Sequence, residues 1–83
     1  TATVEVQADK LLIDTIYDKF GERVALHKKD ENTVGFTADV QVSPTFIAWC
    51  CSFGDKLKVV APSAVVVELE SYVKSLMNLY LQA

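Results

Sequence analysis

The 83 residues carry 8 basic and 11 acidic side chains for a net charge of −3, and the pI is near 4.9. That balance argues against a stand-alone binder of duplex DNA, whose affinity comes largely from Lys and Arg neutralising phosphates. With 51% hydrophobic and 23% charged residues the composition is globular, and apolar runs such as Val59–Pro62 and Ala64–Val67 fall far short of the ~20 residues that a membrane span needs.

A chain of this length buries roughly 60% of the surface that its unfolded form exposes, so one domain with a modest core is expected over residues 1–83. It opens on Thr1 without a methionine and is expected to be a fragment of a longer protein. Cys50 and Cys51 are adjacent, an arrangement that a helix cannot bridge with a disulfide. Reduced thiols and a cytoplasmic setting are therefore expected.

In chain order, Thr1 to Ala8 alternates Ala2, Val4, Val6 and Ala8 with Thr1, Thr3, Glu5 and Gln7, the period of a half-buried strand. Asp9 then caps a helix whose apolar residues Leu12, Ile13, Ile16, Tyr17 and Phe20 fall at helical spacing, with Gly21 as its stop. Arg23 to Lys28 reads as a short strand with Val24 and Leu26 inward, and "KKDENT" as a turn. Val34, Phe36, Ala38, Val40 and Val42 alternate with Gly35, Thr37, Asp39 and Gln41, the pattern of a central strand.

Ser43-Pro44 is an N-cap followed by proline at the first helical position. Phe46, Trp49, Cys50 and Phe53 then share a face, Gly54 stops the helix, and Leu57, Val59 and Ala61 form a last strand. Ser63 starts a third helix running to about Tyr80, with Leu69, Tyr72, Val73, Leu76 and Tyr80 as its inward stripe. Val65, Val66, Met77, Leu79 and Leu81 widen its apolar surface beyond what a small sheet needs, so a partner is expected there.

"FGERVAL" at Phe20 to Leu26 matches "FGDKLKV" at Phe53 to Val59 in character, position by position. Two strand–helix–strand units in tandem predict an α+β, ferredoxin-like βαββαβ sandwich, with right-handed crossovers placing both helices on one face of a four-stranded antiparallel sheet, plus a C-terminal helix. A helical solenoid is excluded, because stacking needs about three copies or more and no alternating strands.

Catalytic and metal chemistry find little support. Zinc sites space their cysteines two to four apart or add histidines, whereas Cys50 and Cys51 adjoin and the single His27 lies in another element. Cys50 reads as a small core hydrophobe. No phosphate loop, nucleophile elbow or histidine-base pair occurs, so neither an enzyme nor a cofactor is expected. Trp49 and Phe53, at helical spacing, read as core.

Arg23, His27, Lys28 and Lys29 on one edge strand, with Lys56 and Lys58 on the other, are candidates for an anionic-ligand or domain contact. A solvated edge that discourages strand pairing explains them as well. Sheet-face RNA binders stack bases on aromatics of the central strands, but the outward positions here are Thr3, Glu5, Gln7, Thr37, Asp39 and Gln41. None is aromatic and two are acidic, which disfavours that function.

The segment "AWCCSFGDKLKVVAPSAVVVELESYV" resembles the C-terminal extension (WCX domain) that follows the WYL domain in bacterial transcription regulators, and "VEVQADKLLIDTIYDKFGERV" is similar to that family's opening strand and helix. Such proteins join a winged helix-turn-helix, a ligand-sensing WYL domain and this extension, which assists dimerisation and packs on the sensing domain. The resemblance therefore implies a regulatory module, with Val65, Val66, Met77 and Leu81 as candidate contacts to a second copy or the preceding WYL domain. DNA would be reached only through an N-terminal domain outside these residues, and no membrane is implied. The family's Trp-Tyr-Leu tripeptide does not occur here, so no ligand-sensing residue carries over, and Cys50-Cys51 stands where leucines are more usual.

Two other classes of function lack residues that they would need. An ACT-like domain shares the double strand–helix–strand plan and binds amino acids at paired interfaces, but its glycine-bearing first turn is replaced by "QADKLL". An acylphosphatase-like enzyme would need an arginine between Gln7 and Lys10, which is lacking.

Overall fold

The computed structural model describes residues 1–82 and has the expected order of elements. Strand β1 (Ala2–Asp9) leads through a 3-10 turn at Lys10–Leu12 into helix α1 (Ile13–Phe20), followed by β2 (His27–Lys28) and β3 (Thr33–Val40). Helix α2 (Pro44–Cys51), a second 3-10 turn at Gly54–Lys56, β4 (Leu57–Ala61) and helix α3 (Ser63–Leu81) complete the chain. The four-stranded sheet has the order β2-β3-β1-β4, and every pairing is antiparallel. This is a ferredoxin-like α+β fold with an added C-terminal helix.

The duplication is visible in the chain path. β1-α1-β2 and β3-α2-β4 are the two halves, and their equivalent glycines Gly21 and Gly54 both take positive φ, 86° and 61°, a region that costs other residues a Cβ clash. Val4, Val6 and Ala8 of β1, Val34, Phe36 and Val40 of β3, and Leu57 and Val59 of β4 form one buried cluster with Ile16, Phe46 and Cys50 of the helices. One sheet face is thereby sealed by α1 and α2.

Local signals act as elementary chemistry requires. The Ser43 hydroxyl accepts the Phe46 N–H at 3.2 Å, capping α2 ahead of Pro44. The Asp9 carboxylate accepts the Leu11 N–H at 2.9 Å, so it caps the 3-10 turn and α1 begins only at Ile13.

Three expectations are corrected. β3 stops at Val40, opposite Ala2, the first residue of β1, and does not run on to Val42. β2 holds only His27 and Lys28, not Arg23 to Lys28. The Val24 N–H closes a turn on the Gly21 carbonyl at 3.3 Å, and Val24 and Leu26 pack on the core without joining the ladder.

The inward stripe expected along α3 is the third correction: it holds for Leu69 and Tyr72 only, since Val73, Leu76 and Tyr80 are exposed. The reason is length. At about 1.5 Å per residue the 19 residues of α3 run ~28 Å, whereas the 5-residue β4 spans only ~17 Å. The helix outruns the strand that it packs against.

Candidate interaction surfaces

Helix α3 is buried at one end and bare at the other. Val65 is 5% exposed and belongs to the core, which removes it from the expected contact surface, and Val66 and Leu69 pack against the same cluster. Beyond them Val73, Leu76, Met77, Leu79, Tyr80 and Leu81 are exposed, from 38% at Leu76 to 85% at Tyr80. Lys74 and Glu70 form an ion pair on the helix, 3.1 Å apart, and no charge follows Lys74 in the described residues.

Of the four interface candidates, then, Met77 and Leu81 are exposed, Val66 is half-buried and Val65 belongs to the interior. Leu76 and Tyr80, assigned inward from the spacing, join the exposed set. The length of the helix against its strand was the signal that would have revealed them. Periodicity alone cannot tell a stripe that meets its own core from one that overshoots it.

The basic candidates divide between the two sheet edges. Arg23, His27 and Lys28 lie at or before β2, and Lys56 and Lys58 at β4, with β3 and β1 between. The structure does not gather them into one patch. His27 and Lys58 do share a row, because His27 faces Gly35, Gly35 faces Gln7 and Gln7 faces Lys58. A Cβ at Gly35 would stand 2.7 Å from His27 Nε2 and 3.0 Å from Lys29 Cε, so the glycine admits both side chains to the outer face. A glycine inside a strand signals such close approach.

Lys56 approaches Asp9 at 4.0 Å, beside a shallow depression of about 230 Å³ lined by Gln7, Asp9, Thr33, Asp55, Lys56 and Lys58. A second hollow of about 240 Å³ lies between Lys19, Phe20, Asp39, Gln41, Ser43 and Phe46. In both, acids and bases are mixed. On the outer face the Thr3 hydroxyl donates to the Asp39 carboxylate. In the turn before β3 the Asn32 N–H, 2.8 Å from the Asp30 carboxylate, holds that carboxyl below its ordinary value.

Cys50 is buried, Cys51 half-buried, and both are free thiols. Burial, reinforced by the neighbouring Cys51, pushes the Cys50 thiol up to about 11, away from the thiolate form that nucleophiles and metal ligands need. No group of three His, Cys, Asp or Glu side chains poised to hold a metal occurs among the described residues. Trp49 lies among Phe20, Phe46 and Phe53, with ring centres 5.5, 6.4 and 4.9 Å away, and Lys19 Nζ sits 5.6 Å from its ring centre. No described helix is long and apolar enough to cross a membrane.

The family model of the WCX domain matches residues 1–77. The chain belongs to the WCX domain family. No curated protein and no solved structure matched it. As a WCX domain it is a regulator-associated domain. The matched span takes in the sheet, α1, α2 and α3 as far as Met77, so the bare stripe begins inside the family's own boundaries, while Leu79, Tyr80 and Leu81 lie beyond them.

Proposed function

We propose that this WCX domain is a non-catalytic interaction module of a cytoplasmic transcription regulator, with the free end of α3 as its contact surface. The partner is a second copy of the chain or the WYL domain that precedes it in such regulators, and DNA is read by another domain. The observation that carries this reading is the overhang itself. A continuous apolar stripe is engaged by the core at Val65, Val66 and Leu69 and left uncovered at Leu76, Met77 and Tyr80. An uncharged helical end with this many large apolar side chains is the composition of an interface.

Two features support the non-catalytic part of the reading. The one thiol inside the fold is held protonated by its burial. The two surface hollows mix acidic and basic residues and are lined by neither a cysteine nor the histidine.

The test is the solution mass of the chain over a concentration series, beside Leu76→Glu/Met77→Glu. Both positions are exposed, so the variant should fold as the wild type does. The wild type is expected to rise above the 9.2 kDa of a single chain and the variant to stay there. A wild type that remains monomeric throughout removes self-association. The remaining reading then stands or falls on whether the same two substitutions release α3 from the preceding domain in the full-length protein.

A further inference from the structure

We infer that Arg23–Leu26 is a strap that closes onto the open edge of β3, extending β2 back from His27. In an antiparallel sheet the backbone groups of a strand point alternately to either neighbour. The Lys29 N–H bonds the Thr33 carbonyl at 2.8 Å, so Thr33, Gly35, Thr37 and Asp39 are the β3 residues whose N–H and C=O face the β2 side. β2 covers only Val34 and Gly35. Among the described residues, no backbone hydrogen bond reaches the edge-facing groups of Thr37 or Asp39.

The existing register states what would cover them. Continuing from His27 opposite Gly35 sets Leu26 against Phe36, Ala25 against Thr37, Val24 against Ala38 and Arg23 against Asp39. Each pairing is chemically suited. Val24 and Leu26, already packed on the core, stay on the apolar face, and Arg23 arrives opposite a carboxylate on the outer face. Ala25 and Arg23 direct their backbone groups at those of Thr37 and Asp39. The Val24 N–H points away from β3 in this register, so its bond to the Gly21 carbonyl does not compete.

The duplicated half supplies an independent argument. Leu57 and Val59, which stand in the second half where Val24 and Leu26 stand in the first, are paired strand, Leu57 with Ala8 and Val59 with Val6. The same aromatic-glycine-acid-base-apolar run thus makes a ladder in one half and stops short of it in the other. With the strap closed, the β3 edge is withdrawn from strand addition by other chains. With it open, the Thr37 and Asp39 backbone is free to accept an extended segment.

The test is solution NMR of the wild-type chain, in a sample that mixes differently labelled copies. A closed strap gives Hα–Hα contacts at the non-hydrogen-bonded pairs Val24–Ala38 and Leu26–Phe36, within one chain. Their absence overturns the inference, as does their appearance only between differently labelled copies, which would mean an exchanged strand. In Ala25→Pro, which loses the N–H aimed at Thr37, the Thr37 and Asp39 amides should exchange about tenfold faster, while those of Val4 and Val6 report an intact sheet. Exchange at Thr37 equal to wild type in that variant also overturns it. Should the variant fail to fold, the wild-type contacts decide.

Discussion

Phe20 and Trp49 meet edge-on with ring centres 5.5 Å apart, and the same Phe20 lies 5.4 Å from Phe36 in the middle of the sheet. One ring thus joins the end of α1, the last turn of α2 and strand β3. Edge-to-face pairs add roughly 0.5–1.5 kcal/mol beyond the area that they bury. Phe20→Ala should therefore cost about 3 kcal/mol in urea unfolding, within the range for core aromatics. Trp49 fluorescence should shift toward the red as its ring loses that cover. A loss below 1 kcal/mol would mean that the two helices do not depend on this junction.

The notch at Gly35 makes a prediction about His27. A Cβ there meets the far ends of two flexible side chains, His27 and Lys29, rather than backbone. Gly35→Val should displace both and cost about 1 kcal/mol, and His27→Ala should recover part of that cost. A double-mutant cycle is expected to return a coupling of about 0.5–1 kcal/mol. Strict additivity would show that the imidazole does not occupy the notch in solution.

Cys50 ties stability to alkaline pH. Its folded value of about 11 lies above its ordinary 9.0, so the fold favours the protonated thiol. That contribution is fully present below pH 9 and is lost as pH rises through 11, an amount on the order of 2 kcal/mol. Urea midpoints measured at pH 8 and 10.5 should fall more steeply for wild type than for Cys50→Ala. Equal slopes would count against a buried thiol. At pH 8 iodoacetamide should label Cys51 well before Cys50, which is 4% exposed.

The two ends of α3 should answer differently to the same truncation. Val65→Ala removes buried methyl groups and should cost about 1–2 kcal/mol, whereas Met77→Ala, measured at concentrations where the chain is a monomer, should cost less than about 0.5 kcal/mol. Thermal unfolding of the two variants is sufficient. A large effect at Met77 in the monomer would place that side chain against the domain's own core.

Much of this architecture is legible from residue order, because it depends on local physics. Alternation in β1 and β3, helical spacing in α1 and α2, the Ser43-Pro44 cap and the two positive-φ glycines each act over a few residues, and the repeated FG-acid-base run predicts the doubled topology. The residues that fell on the wrong side of a prediction are those whose fate depends on something distant. Whether Val24 and Leu26 join a ladder depends on how the turn at Gly21 presents them to β3. Whether Gln41 and Val42 continue a strand depends on whether a neighbouring strand pairs with them, and the β1–β3 ladder ends at Val40.

The composition and periodicity of this chain by themselves determined that two strand–helix–strand units would share one sheet and one apolar face, since burial of alternating and helical stripes admits few other arrangements. Only the tertiary structure decided which half of α3 faces inward. A stripe of Val, Leu, Met and Tyr at helical spacing carries no information about where the surface beneath it ends, and that boundary is set by the five residues of β4. The difference between a core helix and an interface helix is thus a matter of relative lengths, fixed when the strand and the helix are laid side by side.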